Sequence, residues 1–290
     1  LLTAGNASGQ LVFLPLLASL AQSPLGWRSV PWTAALAIVA LLPVVALFVA
    51  ESPGSLGLRP FGAVTPVGAP MGAFIGAAAP ERRAEGNPFR VAVEGLLRGI
   101  RSVDFWLLAG SFGICGFSTY GLVITHFIPY CADHGVGPVT AAGLLAAIGV
   151  FDLFGTTGSG WLTDRVDSRR LLFWYYGLRG LSLLWLPFSG FDMLSLSVFA
   201  IFFGLDFVAT IPPTVALTTQ VFGQRDGPVA VSWIVAAHQV GGSLAAIGAG
   251  EARSLTGSYM LAFAGSGVLC LVASLLVLRI ASRPAGAAVA

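Results

Sequence analysis

Eight long apolar stretches constrain the fold of this sequence more than any other feature. Each is close to the roughly 20 residues that a helix needs to cross a hydrocarbon core about 30 Å thick. Only 10% of the residues are charged, against about 25% in soluble globular proteins. The sequence therefore predicts an all-α membrane protein with about eight transmembrane helices. The predicted spans are Leu2–Gln22, Ser29–Ala50, Phe105–Tyr130, Thr140–Trp161, Leu171–Ser189, Met193–Thr219, Pro228–Gly250 and Ser258–Ile280.

The arginines indicate how the chain is oriented. All 15 basic residues are Arg. If the loop 163–170 is cytoplasmic, 12 of them lie in inside segments, whereas only Arg28 and Arg253 lie outside and Arg179 lies within a span. This asymmetry follows the positive-inside rule and predicts a multi-pass protein of the inner (cytoplasmic) cell membrane with both ends cytoplasmic. Because the arginines do not cluster with stacking aromatic residues, the expected partner is the lipid bilayer and not nucleic acid.

The spans divide the chain into three regions. We predict a two-span segment at 1–50, a cytoplasmic central loop at 51–103 and a six-helix bundle at 104–290, with the two-span segment packed against the bundle. Within the loop, Pro88–Arg101 mixes apolar and charged residues at a spacing compatible with an amphipathic helix on the membrane surface. The alternative is a plain connection held near the membrane by its positive charge.

The run from Gly160 to Arg170, Gly-Trp-Leu-Thr-Asp-Arg-Val-Asp-Ser-Arg-Arg, carries a specific motif. It resembles the cytoplasmic signature of the major facilitator superfamily, a Gly-x-Leu-x-Asp-Arg core followed by a basic cluster between two spans. A small glycine allows helices to approach closely, and Asp and Arg can form charge-assisted bonds across an interface that opens in one state. The resemblance implies a gating role for Gly160, Asp164, Arg165, Arg169 and Arg170.

Other residues resemble one branch of that superfamily, the monocarboxylate and oxalate/formate porters. They are Gly26-Trp27-Arg28 and the acid of Phe151-Asp152. Members of this branch commonly have Arg one helical turn after the acid, and here that position is Thr156.

A weak internal repeat, at an offset near 231 residues, pairs Gly5–Gln10 with His238–Ser243. Parallel repeats of six spans are a feature of the superfamily. If the repeat is real, the first two spans are the fifth and sixth of twelve, and four spans are missing before Leu1. The expected architecture is then a partial major facilitator fold, with the last two spans of the N-terminal half and a complete C-terminal half.

Charged residues inside the spans are the first candidates for function, since each costs at least about 2.5–3.5 kcal/mol at membrane depth. Asp152 and Arg179 lie at matching depths, roughly 12–14 Å from the inner boundary, on consecutive antiparallel helices. We therefore predict an Asp152–Arg179 pair, with Asp206 as the next candidate partner of Arg179. A structural ion pair, a substrate- or proton-coupled role and a lipid-facing arrangement are the alternatives.

A helix break is expected after Asp206. Pro212 and Pro213 lack backbone N–H groups and leave carbonyls without donors in the preceding turn. A helix broken at mid-membrane lines protein or water, as binding sites in transporters do. The alternative is a packing kink whose freed groups bond to neighbouring threonines.

Uncharged polar residues complete the candidate site. His238 and Gln239 fall at a depth similar to that of Asp152, and the repeat places Asn6 and Gln10 opposite them. His126 could pass protons or sit in the interfacial aromatic belt. The predicted substrate- and proton-binding residues are Asp152, Arg179, Asp206, His238, Gln239, Tyr120, His126, Asn6 and Gln10.

These features favour a secondary transporter that works by alternating access. We expect a small organic anion such as a monocarboxylate, coupled to protons, and a monomer without cofactor. The alternatives are an efflux transporter for amphiphilic compounds and an inactive fragment. An enzyme is not expected, because no hydrolase motif occurs. A metal site is not expected either, because Cys115, Cys131 and Cys270 lack the short spacing of metal ligands. We interpret these cysteines as small buried hydrophobic residues.

Overall fold

A computed structural model describes residues 2–24, 26–49 and 87–281. The side chains of residues 2–8, 10, 88, 224 and 225 are outside that description, and with them the predicted roles of Asn6 and Gln10. Most of the predicted central loop, residues 50–86, also lies outside the described residues. All regular secondary structure within the described ranges is helical, which confirms the predicted fold class.

Within the described ranges, ten α-helices follow one another. They are α1 (Leu2–Gln22), α2 (Ser29–Phe48), α3 (Pro88–Gly99), α4 (Val103–Gly116), α5 (Thr125–Asp133), α6 (Pro138–Thr163), α7 (Ser168–Trp185), α8 (Met193–Asp206), α9 (Ile211–Thr256) and α10 (Met260–Val277). A π-helical segment, Phe117–Ile124, joins α4 to α5 without interruption. Helix α9 turns sharply at Gly223, whose φ of 73° and ψ of 178° favour glycine, so it contributes to two successive spans.

Six helical stretches in the described ranges are long and apolar enough to cross a membrane. They are Ser29–Phe48, Val103–Asp133, Pro138–Thr163, Met193–Gly223, Asp226–Thr256 and Met260–Val277. Helix α7 falls short of this standard because it carries Arg169, Arg170 and Arg179, yet it packs within the bundle against α8 and α10. The described apolar part of α1, Leu11–Gln22, is a shorter helix.

Two compact units divide the chain, one of Leu20–Val91 and one that combines Leu1–Ser19 with Ala92–Ala290. In the first unit, α2 buries none of its residues. The second unit contains the helical bundle and has two buried apolar clusters. One cluster, around Phe127, Phe199 and Phe263, lies toward the predicted outer end. The other, around Phe105 and Tyr176, lies toward the predicted cytoplasmic end.

Glycines let the helices of the bundle approach closely at two important contacts. A Cβ at Gly241 on α9 would overlap the carbonyl oxygen of Gly113 on α4. A Cβ at Gly155 on α6 would overlap the carbonyl oxygen of Leu205 on α8. Small residues at these positions allow backbone-to-backbone packing within the membrane, as in other transmembrane bundles.

The segment 88–99 forms a helix, as its sequence pattern predicts. Helix α3 is anchored to the start of the span Asp226–Thr256, since the Trp233 indole N–H donates to the Ala92 carbonyl at 3.0 Å. Arg98 adds an exposed ion pair with Asp226 at 3.0 Å. The end of the central connection is therefore fixed to the bundle by specific contacts, not held by positive charge alone.

Candidate functional site

The predicted break in the span Met193–Gly223 is present. Helix α8 ends at Asp206, the chain turns through residues 207–210, and α9 begins at Ile211 with the two prolines in its first turn. The prolines leave the carbonyl of Ala209 without a helical donor. The Ser159 hydroxyl on α6 donates to that carbonyl at 2.5 Å. The freed backbone group is thus paired by a neighbouring helix.

Arg179 closes the end of α8 at this break. Its side chain is fully buried, and Nε donates to Oδ2 of Asp206 at 2.5 Å. Nη2 donates to the carbonyls of Asp206 and Phe207, at 2.7 and 3.2 Å. A guanidinium is favourable at a helix C-terminus because the last carbonyls carry partial negative charge. Arg179 is therefore both an ion-pair partner and a cap of the broken helix.

The remaining contacts of Arg179 are with α4 and the segment that follows it. Nη1 donates to the thiol sulfur of Cys115 at 2.9 Å and to the hydroxyl of Ser118 at 3.4 Å. A guanidinium has five N–H donors, and these contacts give each of them an acceptor. Arg179 thus joins α7, α8 and α4 at one point in the membrane.

The predicted Asp152–Arg179 pair is wrong. Oδ1 of Asp152 instead accepts from the Thr156 hydroxyl at 2.8 Å and from the backbone N–H of Val208 at 2.9 Å. Equal depth along two helices fixes height but not rotation about the helix axis, and α6 turns this carboxylate toward the break after α8. Asp206, the next candidate, is the ion-pair partner of Arg179.

Asp206 is only partly bonded. Its side chain is 6% exposed, and Oδ2 binds Arg179. Its other carboxylate oxygen, Oδ1, is buried and has no hydrogen-bond partner among the described residues. A buried polar atom without a partner carries a desolvation cost of roughly 1–3 kcal/mol. This oxygen is the atom of the ion pair best placed to gain from an added donor.

Tyr120 and His238 form an aromatic surface beside the break. The centroid of the Tyr120 ring is 5.7 Å from that of Phe207 and also 5.7 Å from that of His238, which is 4.7 Å from Phe112. Tyr120 is 46% exposed, His238 is half-buried and Gln239 is exposed. The structure thus brings Tyr120 and His238 near the Arg179–Asp206 pair and leaves Tyr120 and Gln239 accessible.

His126 belongs to a different cluster. Its ring nitrogens lie 3.3 Å from the Tyr259 hydroxyl and 2.9 Å from the carbonyl oxygen of Ala246, and its ring is buried. These contacts connect α5, the later part of α9 and the start of α10. The sequence grouped His126 with Tyr120, but its side chain contacts none of the residues at the break.

A groove of about 410 Å³ lies between α7 and α8. Its walls are mostly apolar, and Asp206 is the one charged side chain among the described residues that line it. The lining residues are Tyr175, Leu178, Leu181, Ser182, Trp185, Val198, Phe199, Phe202, Leu205 and Asp206. Within the described ranges no three His, Cys, Asp or Glu side chains converge as a metal site requires.

Comparison with known proteins identifies the family of this helical bundle. The family model of the Major Facilitator Superfamily matches residues 1–246. The chain belongs to the major facilitator superfamily. This confirms the resemblance inferred from the signature at Gly160–Arg170.

Relatives within the superfamily are named as transporters. Monocarboxylate transporter 12-B of Danio rerio is 32% identical over 184 residues, which are 61% of this chain and 38% of that protein. Monocarboxylate transporter 13 of Rattus norvegicus is 30% identical over 157 residues, 53% of this chain and 36% of the relative. The uncharacterized MFS-type transporter YcxA of Bacillus subtilis is 30% identical over 170 residues, which are 56% of this chain and 40% of that protein. The predicted monocarboxylate branch is confirmed, and the chain spans 36–40% of these relatives.

The superfamily signature covers the end of α6, the turn that follows it and the start of α7. Asp167 caps α7 by accepting from the backbone N–H of Arg169 at 2.8 Å, and its carboxylate forms an ion pair with the same arginine at 2.7 Å. Arg169 also donates to the carbonyl of Ile280 at 3.2 Å. These bonds to Arg169 hold the pKa of Asp167 below its usual value. Asp167 is therefore the N-cap of α7.

The other signature residues make fewer contacts. The guanidinium of Arg165 lies 4.2 Å from the centroid of the Trp161 ring. Asp164 is exposed and, within the described parts of the chain, forms no hydrogen bond or ion pair through its side chain. A Cβ at Gly160 would meet open space, so no described helix approaches closely there. Arg170 is exposed. Arg169 bonds to Ile280, beyond the end of α10, and so connects the start of α7 to the chain that follows α10.

Sequence reasoning missed two contributors to the site. Ser159 lies seven residues after Asp152, two helical turns along the same face of α6, and that spacing could have revealed it. Cys115 is buried as predicted, but it also contacts Arg179 and lies 3.3 Å from the Thr210 hydroxyl. No local pattern in the sequence indicates those contacts, since both partners are more than 60 residues away.

Proposed function

We propose that this major facilitator chain carries out the coupling step of a secondary transporter. The transporter would move a small organic anion, a monocarboxylate, together with protons by alternating access. Membership of the superfamily supports transport, and the names of two relatives, monocarboxylate transporters 12-B and 13, support the substrate class. The proposed setting is the inner cell membrane, with both chain ends in the cytoplasm and the protein acting as a monomer.

The Arg179–Asp206 pair is the observation that carries this proposal. It is buried, it lies at the break between α8 and α9, and one oxygen of Asp206 has no partner among the described residues. A proton on that oxygen would remove the charge that holds Arg179. The substrate carboxylate would then bind the guanidinium in place of Asp206, and the proton would travel on the Asp206 carboxyl. After the substrate and the proton are released, the ion pair between Arg179 and Asp206 would form again.

Polar residues near the break would complete the substrate site. Tyr120, His238 and Gln239 are proposed to line the cavity from this half, with Asn6 and Gln10 contributing from the other half. Tyrosine, histidine and glutamine can all donate hydrogen bonds to a carboxylate. His126, which belongs to the cluster near Tyr259, is proposed to act only as a relay at the outer end.

Uptake into proteoliposomes tests the proposal. With an acidic exterior, the parent protein is expected to accumulate labelled lactate, and uptake should fall when the pH gradient is collapsed. Asp206→Asn removes the titrating carboxyl, so any residual uptake should no longer depend on pH. The control is Asp226→Asn, whose carboxylate forms an exposed ion pair with Arg98. An Asp206→Asn protein with the parent's pH dependence would contradict the role of this pair.

The groove between α7 and α8 supports a second candidate, the export of amphiphilic cations. Its apolar walls and single acid offer an apolar body and a positive group the contacts that they need. A fluorescent cationic dye in the same proteoliposomes separates the two functions. Dye transport without lactate transport would favour export and contradict the monocarboxylate proposal.

A further inference from the structure

One face of α6 is directed at the unwound segment between α8 and α9. Gly155, Thr156 and Ser159 lie three, four and seven residues after Asp152, which places all four on the same side of the helix. Asp152 and Ser159 are each 1% exposed. Asp152 and Ser159 bond to the segment, and Thr156 bonds to Asp152. Gly155 lies against Leu205, near the end of α8.

The segment needs outside partners because its backbone groups have left the helix. The N–H of Phe207 bonds to the carbonyl of Gly204 at 3.1 Å, a tighter turn than an α-helix makes. The N–H of Val208 is therefore available, and Oδ1 of Asp152 accepts it at 2.9 Å. One residue later, the carbonyl of Ala209 accepts from Ser159. The carbonyl of Phe207 accepts from Arg179.

Each of the consecutive residues 207, 208 and 209 is thus held by a different side chain. The two contacts from α6 fix residues 208 and 209, which directly follow the two carbonyls that Arg179 caps. Gly155 permits this arrangement because a larger residue would overlap the carbonyl of Leu205. Thr156 donates to the same oxygen of Asp152 that accepts from Val208, and so fixes the orientation of that carboxylate.

We propose that Asp152 is a positioning residue that holds the broken helix in place and touches neither the substrate nor the transported proton. Its task is to accept two hydrogen bonds with one oxygen. An amide oxygen can accept the same two bonds, whereas an aliphatic side chain can accept none. A proton carrier, by contrast, requires a titratable carboxyl group. This inference rests on the proposed function only where transport is the readout.

The thiol of Cys115 provides a readout that does not need transport. It is 2% exposed and contacts both Arg179 and Thr210 at the break. Loosening of residues 207–210 is expected to expose it to N-ethylmaleimide. Mass spectrometry of the protein in membranes gives the labelling rate of Cys115 separately from those of Cys131 and Cys270.

Two substitutions of Asp152 separate the roles. Asp152→Leu leaves the Val208 N–H without a partner, so Cys115 should be labelled about tenfold faster, and transport should be lost. Asp152→Asn should restore slow labelling and the parent's pH profile of uptake. The parent's labelling rate in Asp152→Leu would overturn the proposal. So would slow labelling in Asp152→Asn together with an altered pH profile, because the carboxyl proton would then matter.

Milder variants keep the test decisive if Asp152→Leu does not fold. Thr156→Val removes the donor that orients Asp152 and is expected to speed the labelling of Cys115 severalfold. The matched control is Thr157→Val, since among the described residues the neighbouring Thr157 hydroxyl bonds only to the Leu153 carbonyl of its own helix. Equal labelling rates in the two threonine variants would contradict the positioning role. If the parent protein transports no lactate, the proposed function fails, but the labelling rates still decide this inference.

Discussion

The break after Asp206 and the turn 163–170 use the same residue types in opposite surroundings. At the break, Arg179 and Asp206 are 0% and 6% exposed, and each guanidinium N–H has an acceptor. In the turn, Arg169 and Asp167 are 25% and 32% exposed. An exposed ion pair contributes about 0–1 kcal/mol to stability, whereas breaking a buried one costs roughly 3–5 kcal/mol. Burial, and not residue type, therefore decides how much each pair contributes to stability.

The largest predicted effect comes from removing one charge at the break. Arg179→Gln leaves Asp206 as an uncompensated buried carboxylate and should lower stability by roughly 3–5 kcal/mol. The expected observation is a severe loss of folded protein in fluorescence-detected size-exclusion chromatography. Arg170→Gln, in the exposed turn, is the control and should leave the yield near that of the parent. Equal yields of folded protein from the two variants would contradict the prediction that the buried charge at the break matters more for stability than the exposed one in the turn.

A smaller effect is expected from disturbing the packing beneath the break. Gly155→Ala places a methyl group where the Leu205 carbonyl lies, so α6 must move away, at a cost of about 1–3 kcal/mol. Gly158→Ala, on the same helix, points into open space and serves as the matched control. The melting temperatures of the two variants in detergent measure the difference. Similar melting temperatures would mean that the close approach of α6 to α8 at Gly155 does not contribute to stability.

These residues also show what the sequence could predict. The double proline predicted the break, and α1 has the bounds that the apolar stretch predicted. Depth counting placed Asp152 and Asp206 as the two acids within reach of Arg179, but it selected the wrong one. Helix rotation depends on long-range packing, such as the contact at Gly155, and this packing leaves no local pattern in the sequence.

In the turn, a modest and pH-dependent effect is predicted for Asp167→Ala. The variant loses the cap of α7, which should cost about 1 kcal/mol. Because Arg169 lowers the folded-state pKa of Asp167, this stabilisation is present above the usual value of 3.8 and is lost as pH falls through the lower folded-state value. Melting temperatures of parent and variant should therefore differ near neutral pH and converge in acid. A difference that persists in acid would contradict this origin.

The smallest effect on stability is predicted for Asp164→Asn. The side chain is exposed and bonds to no other side chain or backbone group within the described ranges, so the melting temperature should not change. If Asp164 gates transport, as the superfamily signature implies, lactate uptake should nevertheless fall at equal expression. Uptake equal to that of the parent would count against the gate and would leave the turn a structural element only.

Two double variants distinguish Asp206 from Asp152 as the partner of Arg179. Arg179→Gln with Asp206→Asn replaces both charges of the observed pair, so the yield of folded protein should recover most of what Arg179→Gln loses alone. Arg179→Gln with Asp152→Asn leaves the Asp206 charge buried and should not recover it. Recovery through Asp152 and not through Asp206 would contradict the account.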